Sequence, residues 1–288
     1  MPTLKLTDGR FFEYFDNAIA STSAIVFHHG TPGHASAWSS WLELAAARGV
    51  RAFSYSRAGY GVSDRNEGRM VTSNNEDIRE LLDSFGITDF ISIGWSGGGP
   101  HALATTLMRG NKGAITLAGV GEYGAADLDF LEGMGPENHE EFGEALKGEA
   151  AIAAWMEANA HPFKNVTGAE VRDSFGGLIG DADKAVIEGA FADEMAVTMR
   201  KGLAVSFDGW IDDDIAFIKP WGFNLADIAK PVQIWQGDQD LMVPHAHSYW
   251  LEKHIPGAKL NFVPGHGHIS LITTYREEIL AQAQELLK

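Results

Sequence analysis

A serine set among glycines, between a predicted strand and a predicted helix, constrains this chain more than any other feature. The segment Gly-Trp-Ser-Gly-Gly occupies residues 94–98. Residues 90–93 before it are apolar, which favours a buried strand, and Pro100 after it favours the first turn of a helix. Glycine two residues before and two after the serine allows strand and helix backbones to approach closely. The pattern predicts that Ser96 stands on a nucleophile elbow, although a glycine-rich turn with an incidental serine also fits it.

A second strand and loop lie one strand–helix–strand step ahead of this turn. Residues 23–27 predict a buried strand, and His-His-Gly-Thr-Pro-Gly follows at residues 28–33. A reaction that builds negative charge on a carbonyl oxygen needs backbone N–H donors aimed at one point. Gly97 has one such amide, and Thr31 is the best placed second donor because Pro32 has no N–H. Alone, this loop is more often only a turn; its position favours an oxyanion-binding role.

Acidic residues and histidines follow two further predicted strands. One strand is followed by Asp238 and Asp240. The next is followed by His266 and His268. The chain order serine, acid, histidine differs from the orders of chymotrypsin and subtilisin. The spacing alone leaves two alternatives for the acid and two for the base.

Together these motifs resemble the α/β-hydrolase superfamily, over residues 1–120 and 228–288. The resemblance implies an α/β fold with a mostly parallel eight-stranded sheet flanked by helices, and a helical cap inserted at residues 121–227. In the family pattern the acid shortly precedes an apolar-apolar-proline run, which matches Asp240. The base directly follows a glycine and precedes an apolar helix start, which favours His268.

The resemblance also implies a role for each side chain. Ser96 would attack a carbonyl, His268 would take its proton, and Asp240 would hold the imidazole. Water would then hydrolyse the acyl-enzyme. Serine in place of aspartate at position 96 separates the chain from the haloalkane dehalogenase and epoxide hydrolase branches. Arg57 lies in a loop that resembles the family's Arg-Gly-x-Gly-x-Ser turn, so we expect it to brace the active-site loops.

The part of the chain before residue 121 alternates strands and helices. Leucine and aromatic residues on either side of Asp8-Gly9 predict a β-hairpin. The following alternation predicts a mostly parallel sheet with helices on both faces. The helices are expected near residues 38–47, 75–85 and 97–108, and the strands near residues 50–55, 90–93 and 114–118.

The strand–helix rhythm stops after residue 121. The predicted cap has no convincing strand, and its helices are expected near residues 140–147, 149–159, 181–191 and 193–207. For any one aromatic side chain there, core packing is the more frequent role, but together they predict an apolar roof over the serine. The side chains expected to contact substrate are Trp95, Trp155, Phe207, Trp210 and Met242.

The acidic run of Asp208, Asp212, Asp213 and Asp214 has two interpretations. A solvated loop or helix start is the ordinary one, since carboxylates favour helix N-termini. The alternative is recognition of a substrate's ammonium group, as in proline iminopeptidases, which the His-Gly-x-Pro-Gly-like loop also resembles. That branch typically has tryptophan after the serine, whereas here Trp95 precedes it, so we favour the ordinary interpretation.

Bulk composition favours an enzyme over a nucleic-acid or membrane protein. The chain has 288 residues, 45% of them hydrophobic, which is enough for a large core. Its formal charge of −17 disfavours binding to phosphate backbones and anionic membranes. It has no cysteine, and we expect no metal and no other cofactor. The first residues contain no apolar signal region, so a cytoplasmic location is the expectation.

The function that we expect is hydrolysis of a carboxylic ester of a small or medium, partly apolar substrate. Two alternatives use the same groups on another carbonyl: a proline iminopeptidase-like aminopeptidase or amidase, and a carbon–carbon bond hydrolase. A non-catalytic small-molecule receptor is disfavoured because the serine, acid and histidine are all present. The expected partner is a small-molecule substrate, and the sequence indicates no oligomeric state.

Overall fold

The computed structural model describes residues 2–288 and contains an eight-stranded sheet in the order β1-β2-β4-β3-β5-β6-β7-β8. β1 and β2 form the predicted hairpin, β2 is also antiparallel to β4, and all other neighbouring strands are parallel. The predicted mostly parallel sheet is therefore confirmed. The strands are β1 (Thr3–Lys5), β2 (Phe11–Asp16), β3 (Ser23–His28), β4 (Arg51–Tyr55), β5 (Asp89–Trp95), β6 (Asn111–Leu117), β7 (Val232–Gly237) and β8 (Lys259–Val263).

Twelve α-helices accompany the sheet in this part of the chain, and six of them lie between β6 and β7. No helix within residues 2–288 has both the length and the apolar character needed to cross a membrane. The helices are α1 (Ser39–Ala47), α2 (Asn74–Ser84), α3 (Gly98–Ala104), α4 (Pro136–Ala145), α5 (Glu149–Asn159), α6 (Gly168–Ser174), α7 (Asp181–Lys184), α8 (Gly189–Gly202), α9 (Asp208–Phe217), α10 (Ala246–His254), α11 (His268–Thr274) and α12 (Arg276–Leu287).

Helices cover both faces of the sheet, which explains the continuous apolar sequence of β3. Successive side chains of a strand point to opposite faces. Phe27 is buried in one cluster with Leu42 of α1 and Leu280 of α12. Its neighbour Val26 is buried in another cluster with Ile78 of α2. Each such buried side chain contributes roughly 1.5–3 kcal/mol, so both faces stabilise the sheet.

The segment between β6 and β7 is helical, as predicted, but three of the four predicted helices have other bounds. The helix expected near 140–147 is α4, Pro136–Ala145, and the one expected near 193–207 is α8, Gly189–Gly202. The predicted helix at 149–159 coincides with α5. The prediction at 181–191 is wrong, because α7 ends at Lys184 and α8 begins only at Gly189. Glu188 is extended and Gly189 has a φ of +53°, so a helix cannot continue through them. α8 then ends at Gly202, where a side chain would collide with the carbonyl group of Gly33.

The acidic run begins a helix, as expected, but it is not solvated. Asp208 starts α9 and keeps 38% of its side chain exposed. Asp212, Asp213 and Asp214 are buried within the same helix. Asp212 pairs with Arg65 at 2.7 Å, and Asp213 pairs with two further buried arginines. The sequence did not indicate this burial because the arginines lie about 150 residues away along the chain.

His247 joins α10 to the beginning of the helical segment through a neutral imidazole. Its Nδ1 accepts a hydrogen bond from the Gly121 N–H at 2.9 Å, so its Nε2 is the donor to the Phe130 carbonyl at 3.0 Å. A protonated ring would lose the first of these bonds, because both nitrogens would then be donors. Burial lowers the pKa of His247 to about 4.

We expect the unfolding free energy to fall as the pH decreases from about 6.5 to about 4. In this range the unfolded chain binds a proton at His247 that the folded chain does not, which favours unfolding. The contribution of this residue is on the order of 3 kcal/mol. Urea unfolding at several pH values, compared with His247→Gln, measures it. Equal pH dependence in the two proteins would contradict the prediction.

Candidate active site

Ser96 stands on a tight turn between β5 and α3. Its φ is +56°, in the left-handed region that is uncommon for residues other than glycine, and its N–H donates to the Leu117 carbonyl at 2.9 Å. A Cβ on Gly94 would collide with the Gly98 carbonyl oxygen, and one on Gly98 would collide with the His28 carbonyl oxygen. The two glycines that flank the serine are therefore required by backbone packing. The turn has the geometry predicted for a nucleophile elbow.

Asp240 and His268 follow β7 and β8 and are joined by a hydrogen bond. His268 Nδ1 lies 2.9 Å from Asp240 Oδ2, and both side chains are buried. Asp240 Oδ1 accepts from the N–H groups of Met242 at 3.0 Å and Val243 at 2.8 Å, while Gln236 donates to Oδ2 at 3.1 Å. Because the carboxylate has only donors around it, Nδ1 of the imidazole carries the proton. This leaves Nε2 of a neutral ring as an acceptor.

The two other candidates from the sequence have different surroundings. Asp238 Oδ1 accepts from the Gly265 N–H at 2.7 Å, within the loop after β8. His266 packs edge-on against the Tyr275 ring, with centroids 5.2 Å apart. Neither is joined to the other by a hydrogen bond among residues 2–288. The geometry therefore favours Asp240 and His268 as the acid and the base.

Ser96 and His268 line one cavity of about 320 Å³. Trp95, the residue before Ser96, contacts His268. Its ring centroid lies 5.3 Å from that of the imidazole, and its Nε1–H donates to the His268 carbonyl at 3.2 Å. Within residues 2–288, no hydrogen bond joins Ser96 Oγ to His268 Nε2. Catalytic hydrogen bonds are often long in empty sites and tighten when substrate binds.

Thr31 and Gly97 also meet at this cavity. A Cβ on Gly97 would collide with Thr31 Oγ1, and both residues line the cavity. In the part of the chain that the structure describes, neither backbone N–H donates a hydrogen bond. Arg57 donates to the His29 carbonyl and, at 2.8 Å, to the Gly30 carbonyl. The loop carbonyls are thus bound by a buried guanidinium, while the two amides remain available.

Arg57 has the bracing position expected of it, and its partner is in the acidic run. Its Nη2 lies 2.6 Å from Asp213 Oδ2, which also accepts from Thr31 Oγ1 at 2.7 Å. Arg69 approaches Asp213 Oδ1 at 2.6 Å. Burial alone would raise the pKa of Asp213, but the charges of Arg57 and Arg69 hold it well below its usual value. α9 is thereby bound to the loop that carries Thr31.

Four of the five side chains expected to contact substrate line the cavity, namely Trp95, Trp155, Trp210 and Met242. Phe207 does not. It is buried in a cluster with Tyr60 and Leu203, and its ring packs edge-on against His161 at 5.3 Å. The expectation for Phe207 is therefore corrected to core packing, because its side chain packs within this cluster and does not line the cavity.

Comparison with known proteins gives the family. The alpha/beta hydrolase family matches this chain over residues 25–282. The chain belongs to the alpha/beta hydrolase family. Similar solved structures include an esterase (EaEST) from Exiguobacterium antarcticum, with 19% identity, 98% coverage of each chain and a TM-score of 0.69. A bromoperoxidase from Bacillus anthracis has 20% identity, 99% coverage of each chain and a TM-score of 0.69. The esterase RhEst1 from Rhodococcus sp. ECU1013 has 16% identity, coverages of 99% and 98%, and a TM-score of 0.70. These similarities establish the fold.

Sequence reasoning missed one residue of this alpha/beta hydrolase that contacts the first turn of α11, the helix that begins at His268. Asp183 of α7 is fully buried, and its carboxylate accepts from three backbone N–H groups: those of His268 at 2.9 Å, Ile269 at 2.9 Å and Ser270 at 2.8 Å. It replaces the N-cap side chain that Gly267 lacks. An aspartate in a predicted helix carries no signal of a contact with a segment 85 residues further along the chain.

We expect Asp183→Ala to destabilise the protein by about 3 kcal/mol, because three backbone donors lose a charged acceptor in a buried place. Asp181→Ala is the matched control, since Asp181 is an exposed aspartate at the start of the same helix. It should change stability by less than about 1 kcal/mol. Urea unfolding measures both variants, and equal effects would contradict the role assigned to Asp183.

Proposed function

We propose that this protein hydrolyses carboxylic esters of small or medium, partly apolar substrates, with Ser96 as nucleophile. The observation that carries the proposal is the Asp240–His268 hydrogen bond beside a cavity that Ser96 also lines. The nucleophile stands on a turn with a left-handed backbone, the base has no hydrogen bond at Nε2 within residues 2–288, and a carboxylate orients the base. This is the arrangement that activates a serine hydroxyl.

Acylation begins when His268 Nε2 takes the proton of the Ser96 hydroxyl while Oγ attacks the ester carbonyl carbon. The carbonyl oxygen becomes an oxyanion, and the amides of Thr31 and Gly97 would stabilise it. The imidazolium is stabilised by Asp240. It then donates its proton to the alkoxy oxygen, so that the C–O bond breaks and the alcohol leaves. Ser96 remains as an acyl ester.

Deacylation repeats these steps with water. His268 takes a proton from water, the hydroxide oxygen attacks the acyl carbon, and the same two amides would bind the second oxyanion. The bond to Ser96 Oγ breaks as His268 returns the proton to it. The products are a carboxylic acid, an alcohol and the free enzyme.

The lining of the cavity supports a partly apolar substrate of limited size. Seven aromatic side chains from the helical segment line it, among them Phe142, Trp155, Phe191 and Phe217. A volume of about 320 Å³ suits a small molecule rather than a polymer. The formal charge of −17 also disfavours a nucleic-acid substrate.

We expect Ser96→Ala to reduce the hydrolysis of p-nitrophenyl butyrate at least about 10³-fold, because the attacking hydroxyl is lost. Ser84→Ala is a suitable control, since Ser84 is exposed at the end of α2 and does not line the cavity. Activity is measured from nitrophenolate release, and a fluorophosphonate should label the unmodified enzyme at Ser96.

Three results would contradict the proposal. Equal rates for Ser96→Ala and the unmodified enzyme would exclude Ser96 as nucleophile. Hydrolysis of a prolyl arylamide but of no ester would favour the aminopeptidase alternative. A folded protein that neither hydrolyses an ester, an amide or a carbon–carbon substrate nor reacts with the fluorophosphonate would favour a receptor.

A further inference from the structure

Trp95 is the last residue of β5 and directly precedes Ser96 on the turn. It was expected to contact substrate, and its side chain does line the cavity. The same side chain also contacts the candidate base, His268. Trp95 is therefore connected to the nucleophile through the chain and to the base through its indole.

Two contacts connect the indole of Trp95 with His268. The centroids of the indole and the imidazole are 5.3 Å apart and the ring planes are inclined by 35°, a separation at which aromatic rings attract each other. The indole Nε1–H also donates to the His268 carbonyl at 3.2 Å. The first contact restrains the imidazole ring, and the second restrains the backbone from which the imidazole projects.

The other side chains that bind His268 come from distant segments. Asp240 lies 2.9 Å from its Nδ1, and Asp183 accepts from its backbone N–H at 2.9 Å. Asp240 follows β7 and Asp183 belongs to α7, so neither is continuous with the turn that carries Ser96. Among the described residues, only Trp95 both forms a side-chain hydrogen bond to His268 and is a chain neighbour of Ser96.

Packing holds the indole itself in place. Trp95 is half-buried and packs against two apolar clusters, one that includes Leu271 and one that includes Ile269, both residues of α11. In addition, a Cβ on Gly30 would lie 3.7 Å from Trp95 Cε3, which is an ordinary van der Waals distance. The indole therefore packs against α11 and lies close to the loop after β3. A closely packed side chain transmits a shift of its own backbone to the groups that it contacts.

We propose that Trp95 is a positioning residue that sets the distance between the Ser96 hydroxyl and His268 Nε2. The inference rests on the proposed function, because it gives Trp95 a part in the activation of Ser96. The indole holds the base from the nucleophile's own turn, so that the two groups keep their relative position. A misplacement of about 1 Å can lower a rate about 100-fold. The indole face also stabilises the imidazolium that forms during the reaction, as aromatic rings stabilise other cations.

Two substitutions separate the contribution of the ring face from that of the N–H group. Trp95→Phe keeps an aromatic face and removes the donor, whereas Trp95→Leu removes both. With p-nitrophenyl acetate we expect kcat to fall about threefold in the first variant and about tenfold or more in the second. KM should change by less than about twofold, because acylation and deacylation both use His268 and slow together. Nitrophenolate release measures both constants.

Trp250→Phe is the matched control. Trp250 of α10 also stacks on a histidine, His254, with ring centroids 4.5 Å apart, and its Nε1–H also donates a hydrogen bond, to Asp127 at 2.8 Å. It does not line the cavity. This variant should keep kcat within about twofold of the value for the unmodified enzyme. Equal losses in Trp95→Phe and Trp250→Phe would overturn the inference, because the loss would then have no connection with His268.

A double-mutant cycle with His268→Ala distinguishes positioning from a direct contact with substrate. If Trp95 acts through His268, its replacement has no further effect once the imidazole is absent. We therefore expect equal residual rates, within about twofold, for His268→Ala with and without Trp95→Leu. A further loss as large as that seen in the presence of His268 would overturn the inference and leave Trp95 as a substrate contact. If Trp95→Leu lowers the melting temperature, Trp95→Phe replaces it in the cycle.

The same measurements separate this inference from the proposed function. An unchanged kcat in Trp95→Leu, in an enzyme whose ester hydrolysis requires Ser96, overturns the positioning role alone. An unmodified protein that hydrolyses no ester overturns the proposed function. The rate of fluorophosphonate labelling at Ser96 then replaces kcat in the same comparisons, because this reaction also requires an activated serine hydroxyl. An equal labelling rate in Trp95→Leu overturns the positioning role in that case as well, and the absence of labelling overturns both.

Discussion

The buried carboxylate of Asp213 is the interaction on which the candidate site depends most. It is surrounded by Arg57, Arg69, Tyr60 and Thr31, and it ties α9 to the loop after β3. Removing one partner of such a buried pair typically costs 3–5 kcal/mol, because the remaining charge is left uncompensated. Successive side chains of a helix are rotated by about 100°. The anchoring of Asp213 among the arginines therefore also determines that Asp214 faces the cavity.

The helical segment is connected to both halves of the candidate site. Through Asp213 it contacts the loop that carries Thr31, and through Asp183 it contacts the first turn of the helix that carries His268. Both contacts are buried carboxylates that accept several hydrogen bonds, which are stronger than bonds between neutral groups. The segment thus positions the side chains around Ser96 as well as covering them. A displacement of this segment would disturb two of the groups to which we assign the chemistry.

Local sequence predicted those parts of the molecule whose structure depends on local forces. The glycines around Ser96 predicted a tight turn, and the clash that Gly94 avoids is indeed with the nearby Gly98, whereas the clash that Gly98 avoids is with His28 of the neighbouring strand. α5 was predicted with its observed bounds. The predicted helix at 181–191 failed at Gly189, where a left-handed backbone interrupts the helical pattern. Phe207 was expected in the cavity because composition indicates that an aromatic residue is buried, but not which neighbours bury it.

By itself, the sequence determined the fold class, the order of serine, acid and histidine, and the turn geometry around Ser96. These follow from hydrophobic periodicity and backbone sterics, which act over a few residues. Only the tertiary structure decided that Asp240 and His268 are the residues joined by a hydrogen bond, that Asp212 and Asp213 are buried against arginines, and that Asp214 is buried beside Glu141. Each of these depends on contacts between segments far apart in the chain, and the burial of a charge is a property of what surrounds it rather than of its neighbours in sequence.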